Sequence, residues 1–275
     1  MRHPTQGLAD NLAFRALRWL RYSWRGGESR AVAALSLFRP PGLFQPFGDT
    51  KFDRYPAVFG FVRQDVGDGP ERRILSFGCS TGEEVFSLRR YFPEAAIDGF
   101  DISADRIATC RRRWRREGSD PRTGFAVACA ATEVPPDSYD AIFAMAVFRH
   151  GRLNASPRTC ADLIRFADFE RTAEGLARGL RPRGLLAIRH ANFRFADTAC
   201  AADFDVVLSL PAAGAPKYDR NDRLLPGEFV ERVIFRKRSE KVEELAVRRS
   251  GALVASASEP RVITGRARMD EHRDF

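Results

Sequence analysis

Apolar and polar positions along the chain alternate between short apolar runs and stretches of helical spacing. Arg73 to Phe77 is a short apolar run that breaks at Gly78 into small residues, then resumes at helical spacing through Val85, Phe86 and Leu88. That is the pattern of a buried strand turning into a helix. Ala96 to Asp101, Phe125 to Ala130, Ala141 to Val147 and Leu185 to Ile188 are the next apolar runs and predict further strands. Val206 to Leu210 and Val230 to Arg236 predict a closing strand pair around the long loop Pro211 to Gly227. Between the runs lie helical stretches. Pro56 fits the first turn of a helix over Ala57 to Val66, Ser103 fits the N-cap of one reaching Arg116, and Ala161 to Leu180 reads as another. Strands alternating with helices in this way predict an α/β fold.

The N-terminal part has a different pattern. Leu8, Leu12, Ala16 and Trp19 or Leu20 recur at helical spacing opposite Arg15, Arg18 and Arg25, which predicts an amphipathic cationic helix over residues 8 to 25. Such a helix either caps its own domain or lies on a membrane or on RNA phosphates. A break at Gly26-Gly27 follows. Phe38 to Gly48 is then rich in proline and glycine, yet Phe38, Leu43, Phe44 and Phe47 are too apolar for a solvated linker, so this segment is expected to pack. Residues 1–55 are read as an N-terminal helical cap and lid, 56–244 as the main domain, and 245–275 as a mobile tail of Ala, Ser, Arg and Gly.

Composition narrows the function classes. No apolar run reaches about 18 residues, so no membrane-spanning helix is expected. Arg15, Arg18 and Arg21 divide the apolar residues that a signal peptide would keep together. The cysteines at 79, 110, 129, 160 and 200 are scattered, without a C-x-x-C pair. That points to a reducing, cytoplasmic setting and to no metal site. The formal net charge is +9, carried almost wholly by arginine. It attracts anions and nucleic acid, or it reflects solvated arginines such as Arg111, Arg112, Arg113, Arg115 and Arg116 on an outward helix face.

The candidate chemistry centres on the glycine turn. Gly78 and Gly82 let the backbone bend and a ligand come close, while the first helix amides stay unpaired. A dinucleotide fingerprint, G-x-G-x-x-G, would need glycines where Ser80 and Glu83 stand. Glu83 and Glu84 place negative charge where a pyrophosphate would lie, so a ligand with an ammonium and a sulfonium centre fits better than NAD. Asp101 ends the next strand roughly 20 residues further on, where an acid can accept hydrogen bonds from both ribose hydroxyls.

The run Phe77-Gly78-Cys79-Ser80-Thr81-Gly82-Glu83-Glu84 with Asp101 resembles the S-adenosylmethionine site of class I methyltransferases, and its wording is closest to the chemotaxis-receptor type. Pro135 to Phe143, Val147-Phe148-Arg149-His150 and Leu180 to Ile188 are similar to that family's later motifs, in the family's order. The resemblance covers residues 72 to 190. It implies a doubly wound, mostly parallel seven-stranded sheet, S-adenosylmethionine as cofactor, and an N-terminal segment that folds over the cofactor mouth as far as Tyr55; the alternative is an ordered loop on the back of the sheet. It also implies cofactor contacts from Phe77, Gly78, Cys79, Ser80, Gly82, Glu83, Glu84, Asp101, Ile102, Ala130, Ala131 and Ala146. Ala130 stands where many relatives carry an Asp for adenine, and Arg183 replaces the first glycine of the usual Pro-Gly-Gly turn.

Ligands of open α/β sheets bind beyond the carboxyl ends of the strands. After the fourth strand this chain has no Asn-Pro-Pro-Tyr and no Pro-Cys, which argues against methylation of DNA bases. His150, just past that strand, is a candidate general base on a substrate hydroxyl, or a histidine with a structural hydrogen bond. His190 after the fifth strand is the second catalytic candidate. Arg149, Arg194 and Tyr218 are candidate substrate contacts. The expected activity is methyl transfer to an oxygen or simple nitrogen of a small molecule, or to a protein carboxylate. The rivals are an RNA methyltransferase that uses the basic surface and a non-catalytic protein that only binds the adenosyl cofactor.

Overall fold

The computed structural model describes residues 27–239, apart from 129, 213, 228 and 229. The expected helix over residues 8 to 25 and the expected tail beyond residue 244 lie outside the described residues. The described chain opens with helix α1 (Gly27–Phe38). The sequence pattern placed a break at Gly26-Gly27, and the helix begins at Gly27 itself. Helix α2 (Pro56–Val66) follows, with proline at its start as expected.

A sheet of seven strands forms the centre. The strands are β1 (Arg73–Phe77), β2 (Ala96–Asp101), β3 (Thr123–Val127), β4 (Tyr139–Met145), β5 (Leu180–Arg189), β6 (Phe204–Leu210) and β7 (Glu231–Lys237), in the spatial order β3-β2-β1-β4-β5-β7-β6. All neighbouring pairs are parallel except that β7 runs antiparallel to β5 and to β6. Helices α3 (Glu83–Tyr91), α4 (Ala104–Arg116) and α5 (Phe166–Gly179) supply connections between the parallel strands. This is a doubly wound, mostly parallel α/β fold. Its strand order reverses between β1 and β4, and an open α/β sheet leaves a crevice for ligands at that place.

Both faces of the sheet are covered, and β4 is buried at every position. Side chains alternate across a strand, so Ile142 and Ala144 enter one core while Ala141, Phe143 and Met145 enter the other. Leu186 and Ile188 of β5 join the first core, and Leu185 and Ala187 the second. The first core is dominated by aromatic rings around Phe148, Phe169 and Phe193 beneath α5, and the second packs α2 and α3 on the other face.

Element ends differ from the sequence expectations where long-range contacts decide. Helix α5 starts at Phe166 and not at Ala161, because the Asp222 carboxylate accepts the Phe166 amide at 2.7 Å and caps the helix from 56 residues away. Strand β3 starts at Thr123 and ends at Val127, in register with Asp101 of β2. Strand β5 begins at Leu180, directly after α5. Within it Arg183 adopts a left-handed φ of 67° at the position where a glycine is usual.

Candidate cofactor and acceptor site

The turn from β1 to α3 is held open by residues with left-handed backbone. Gly78, Ser80 and Gly82 have φ of 75°, 52° and 97°. Gly78 has no alternative, since a Cβ there would come within 2.6 Å of Val147 Cγ2. The amides of Gly78 and Cys79 both donate to the Phe100 carbonyl, at 2.7 and 2.9 Å, which ties the turn to β2. Ser80 then donates its amide to Asp101 Oδ2 at 2.9 Å, and Ser103 donates to Asp101 Oδ1 at 2.8 Å. The Asp101 carboxylate thus sits at the end of β2, 5% exposed, with one amide on each oxygen and lone pairs left over. Burial raises its pKa above the usual carboxylate value, although the neighbouring Arg106 guanidinium and the two amides pull the other way.

A cavity of about 100 Å³ opens at the carboxyl ends of β1, β2 and β4. Of the residues expected to contact a cofactor, Phe77, Gly78, Cys79, Ser80, Glu84, Asp101, Ile102 and Ala146 line it. Gly82, Glu83, Ala130 and Ala131 do not. Gly82 is the N-cap of α3, and the Glu83 carboxylate accepts the Thr81 hydroxyl at 2.6 Å. Ala131 packs under α5, against Gly175, and Ala128 takes a place on the cavity wall.

Glu84 is partly buried on that wall and accepts the Ser76 hydroxyl at 2.8 Å. Desolvation raises its pKa to about 7, against smaller opposing effects of the Ser76 hydrogen bond and Arg54. A cationic ligand that pairs with Glu84 needs the ionised form. Its affinity is therefore expected to rise with pH up to about 7 and to level off above, in calorimetric titrations at stepped pH. Stability of the free protein shows the same group with the opposite sign. A folded-state pKa raised above the unfolded value costs stability as pH climbs from about 4.5 to about 7. A pH-independent affinity across that range would place the ligand's cation elsewhere.

Residues 42–55 supply the opposite wall, and sequence reasoning did not single out their polar members. Gln45 donates to the Ala146 carbonyl at 2.9 Å, and the Ser80 hydroxyl donates to the Gly48 carbonyl at 2.8 Å. Arg106, 4% exposed, reaches from α4 to the Glu28 carboxylate at 2.5 and 3.0 Å and to the Pro46 carbonyl at 2.6 Å. Lys51, Arg54 and Tyr55 line the cavity from this segment. Arg106 was legible only as one arginine among many on α4; its place at i−1 from Ile107 and i−4 from Cys110, on the buried side, is the signal that marks it.

The catalytic candidates lie off the cavity wall. His150 is 9% exposed; its amide donates to Asn192 Oδ1 at 2.9 Å, and its Nδ1 accepts the Arg152 amide at 3.3 Å as a local cap. Burial, then Arg152 and Arg39, lower its pKa. His190 has a left-handed φ of 55° and shares a hydrogen bond of 2.8 Å with the Tyr55 hydroxyl. Burial lowers its pKa to about 4, so it is neutral, and the imidazole tautomer sets which partner donates. Burial raises Tyr55 to about 12. Arg149 donates to Asn154 at 3.1 Å, and Arg194 pairs with Asp197 at 2.7 Å. Tyr218 is fully buried, with its hydroxyl on the Pro157 carbonyl at 3.1 Å. On α4, Arg111, Arg112 and Arg113 are engaged by Phe125, Thr109 and Glu117 of their own surroundings.

Comparison with known proteins bears on this geometry. Residues 74–184, which carry β1 to β4 and the start of β5, match the family model described as a methyltransferase domain. Over this segment the chain is similar to methyltransferase domains. The chain is 34% identical over 118 residues to a trans-aconitate 2-methyltransferase of Afipia carboxidovorans, covering 43% of this chain and 38% of that protein. It is 28% identical over 107 residues to malonyl-[acyl-carrier protein] O-methyltransferase 1 of Ilyobacter polytropus, covering 37% and 39%. The chain thus spans about two fifths of the length of these relatives. The solved structure of the [4+2]-cyclase SpnF aligns with a TM-score of 0.42 and 20% identity over 58% of this chain and 60% of that one.

S-adenosylmethionine is the cofactor of the methyltransferase domain, and the donor set fits it. Asp101 offers acceptors for ribose hydroxyls, Glu84 a carboxylate for an ammonium, and the Gly78 turn a wall without side chains. The space is tighter than the chemistry. Pockets that hold ligands of that size span roughly 300–1,000 Å³, against about 100 Å³ here. Cys79, Cys110, Cys160 and Cys200 are free thiols, and among the described residues no helix is long and apolar enough to cross a membrane.

Proposed function

We propose that the protein is a cytoplasmic S-adenosylmethionine-dependent methyltransferase whose acceptor atom is a carboxylate oxygen, on a small molecule or on a protein. The observation that carries this reading is the makeup of the cavity wall next to Met145 and Tyr55. Cations face it from Lys51 and Arg54, and neither His150 nor His190 does. When bound, the cofactor supplies an electrophilic methyl group on a sulfonium centre. The chain's own task is then to hold an acceptor atom in line with it, a contribution of proximity and orientation. An acceptor hydroxyl would keep its proton here, because the Tyr55 phenol stays protonated up to about 12 and the imidazoles are turned to other partners. A carboxylate is already ionised at neutral pH and needs no base. Lys51 and Arg54 on the cavity wall attract it. Both relatives named above carry, in their names, acceptors that are carboxylic acids, which supports the same reading.

The test is kinetic. With a carboxylic acid as acceptor and cofactor at saturation, the rate is expected to stay flat between about pH 6 and 8, well above the carboxylate range. His150→Asn is expected to keep turnover within about twofold, since asparagine also caps a turn well. A rate that falls through the imidazole range, together with a collapse of turnover in His150→Asn, would instead identify a hydroxyl acceptor and a histidine base.

A further inference from the structure

A second cavity, of about 290 Å³, lies beside the carboxyl end of β5 and the start of β7, and it shares no lining residue with the first. Among the described residues, Phe193, Phe195 and Phe235 give it an aromatic wall. Arg194 and Asp197, paired at 2.7 Å, stand on its side, and Val230 is an exposed residue on its lining. The volume is enough for an organic molecule of modest size, since one water occupies about 30 Å³ of liquid.

A buried ion pair also lines this cavity. Lys217 and Glu231 are 8% and 6% exposed and 3.2 Å apart. Lys217 donates a second N–H to the Ala191 carbonyl at 2.6 Å, and an ammonium carries three donors. Glu231 Oε1 is fully used, by Lys217 and by the His190 amide at 3.0 Å. Glu231 Oε2 is buried and forms an ion pair with Arg189 Nε at 3.7 Å, but neither atom has a hydrogen bond. A buried carboxylate oxygen left this way costs free energy and calls for an explanation.

We propose that this cavity is a second ligand site, for a neutral molecule with a flat apolar body and one hydroxyl group held between Lys217 and Glu231. A hydroxyl oxygen accepts the remaining ammonium N–H, and its proton goes to Glu231 Oε2, so one group satisfies both. An aromatic body fits the walls of Phe193, Phe195 and Phe235, where offset and edge contacts between rings are favourable. Charged ligands are selected against in both directions: amines meet Lys217, Arg194 and Arg232, and carboxylates meet Glu231 and Asp197. The site does not depend on the methyl-transfer reading. It adjoins the first site through His190, whose amide binds Glu231 and whose ring binds Tyr55.

The experiment uses the full chain with 4-methylphenol as probe and toluene as the matched molecule without the hydroxyl. Binding is followed by ligand-observed NMR with and without S-adenosylhomocysteine. The phenol is expected to bind about tenfold more tightly than toluene, as a hydrogen bond to a charged group implies, and S-adenosylhomocysteine is not expected to displace it. Glu231→Gln should remove most of that preference. Val230→Trp, a change at an exposed position that leaves the ion pair intact, should block entry and abolish binding of both probes, so the idea is testable even if Glu231→Gln does not fold. Equal binding of phenol and toluene would reduce the site to an apolar void. Absence of binding, or binding that Val230→Trp does not change, would overturn the assignment altogether.

Discussion

Asp101→Ala is expected to weaken S-adenosylhomocysteine binding about a hundredfold, the largest loss from a single side chain on the cavity wall. Two charge-assisted hydrogen bonds to ribose hydroxyls are worth about 2–3 kcal/mol together. The same carboxylate accepts the amides of Ser80 and Ser103, so its removal also loosens the turn that faces the cofactor. Asp101→Asn separates the two contributions. The amide keeps one oxygen for the backbone but loses the charge, and an intermediate affinity is expected. Titration calorimetry on folded variants measures both. Unchanged affinity in Asp101→Ala would put the ribose away from β2.

Phe148→Ala is expected to cost about 3–5 kcal/mol of stability, the usual range for truncating a fully buried phenylalanine. The ring has no exposed surface. It meets Phe169 of α5 edge-on at 4.9 Å and Phe44 at 5.0 Å. Phe148 therefore joins the wall formed by residues 42–55 to the helix layer under β4 and β5. Its loss should lower the urea midpoint and also raise hydrogen exchange in the segment around Phe44. A small change in midpoint would mean that the surrounding rings close the gap.

The first two strands were legible because their apolar runs are short, end in small or acidic residues and are followed by helical spacing. Gly78 and Asp101 carried the cofactor signal for a local reason. A left-handed turn and an acid at a strand end leave a mark in a few consecutive residues. The wall across the cavity left no such mark. Gln45, Arg54, Tyr55 and Arg106 become neighbours of the turn only through tertiary contacts such as Arg106 to Glu28, across 78 positions. The start of α5 at Phe166 was hidden for the same reason, since its cap, Asp222, is distant in sequence. His150 shows the limit of reading chemistry from position. Its place after β4 suits a base, whereas its ring nitrogen is committed to the Arg152 amide, which no spacing rule reveals.

The central claim, methyl transfer to a carboxylate, is tested most directly by incubating the full chain with methyl-labelled S-adenosylmethionine and a set of small carboxylic acids. The account predicts label in a product that mild alkali hydrolyses to methanol, the behaviour of a methyl ester. Label in an alkali-stable product would contradict it.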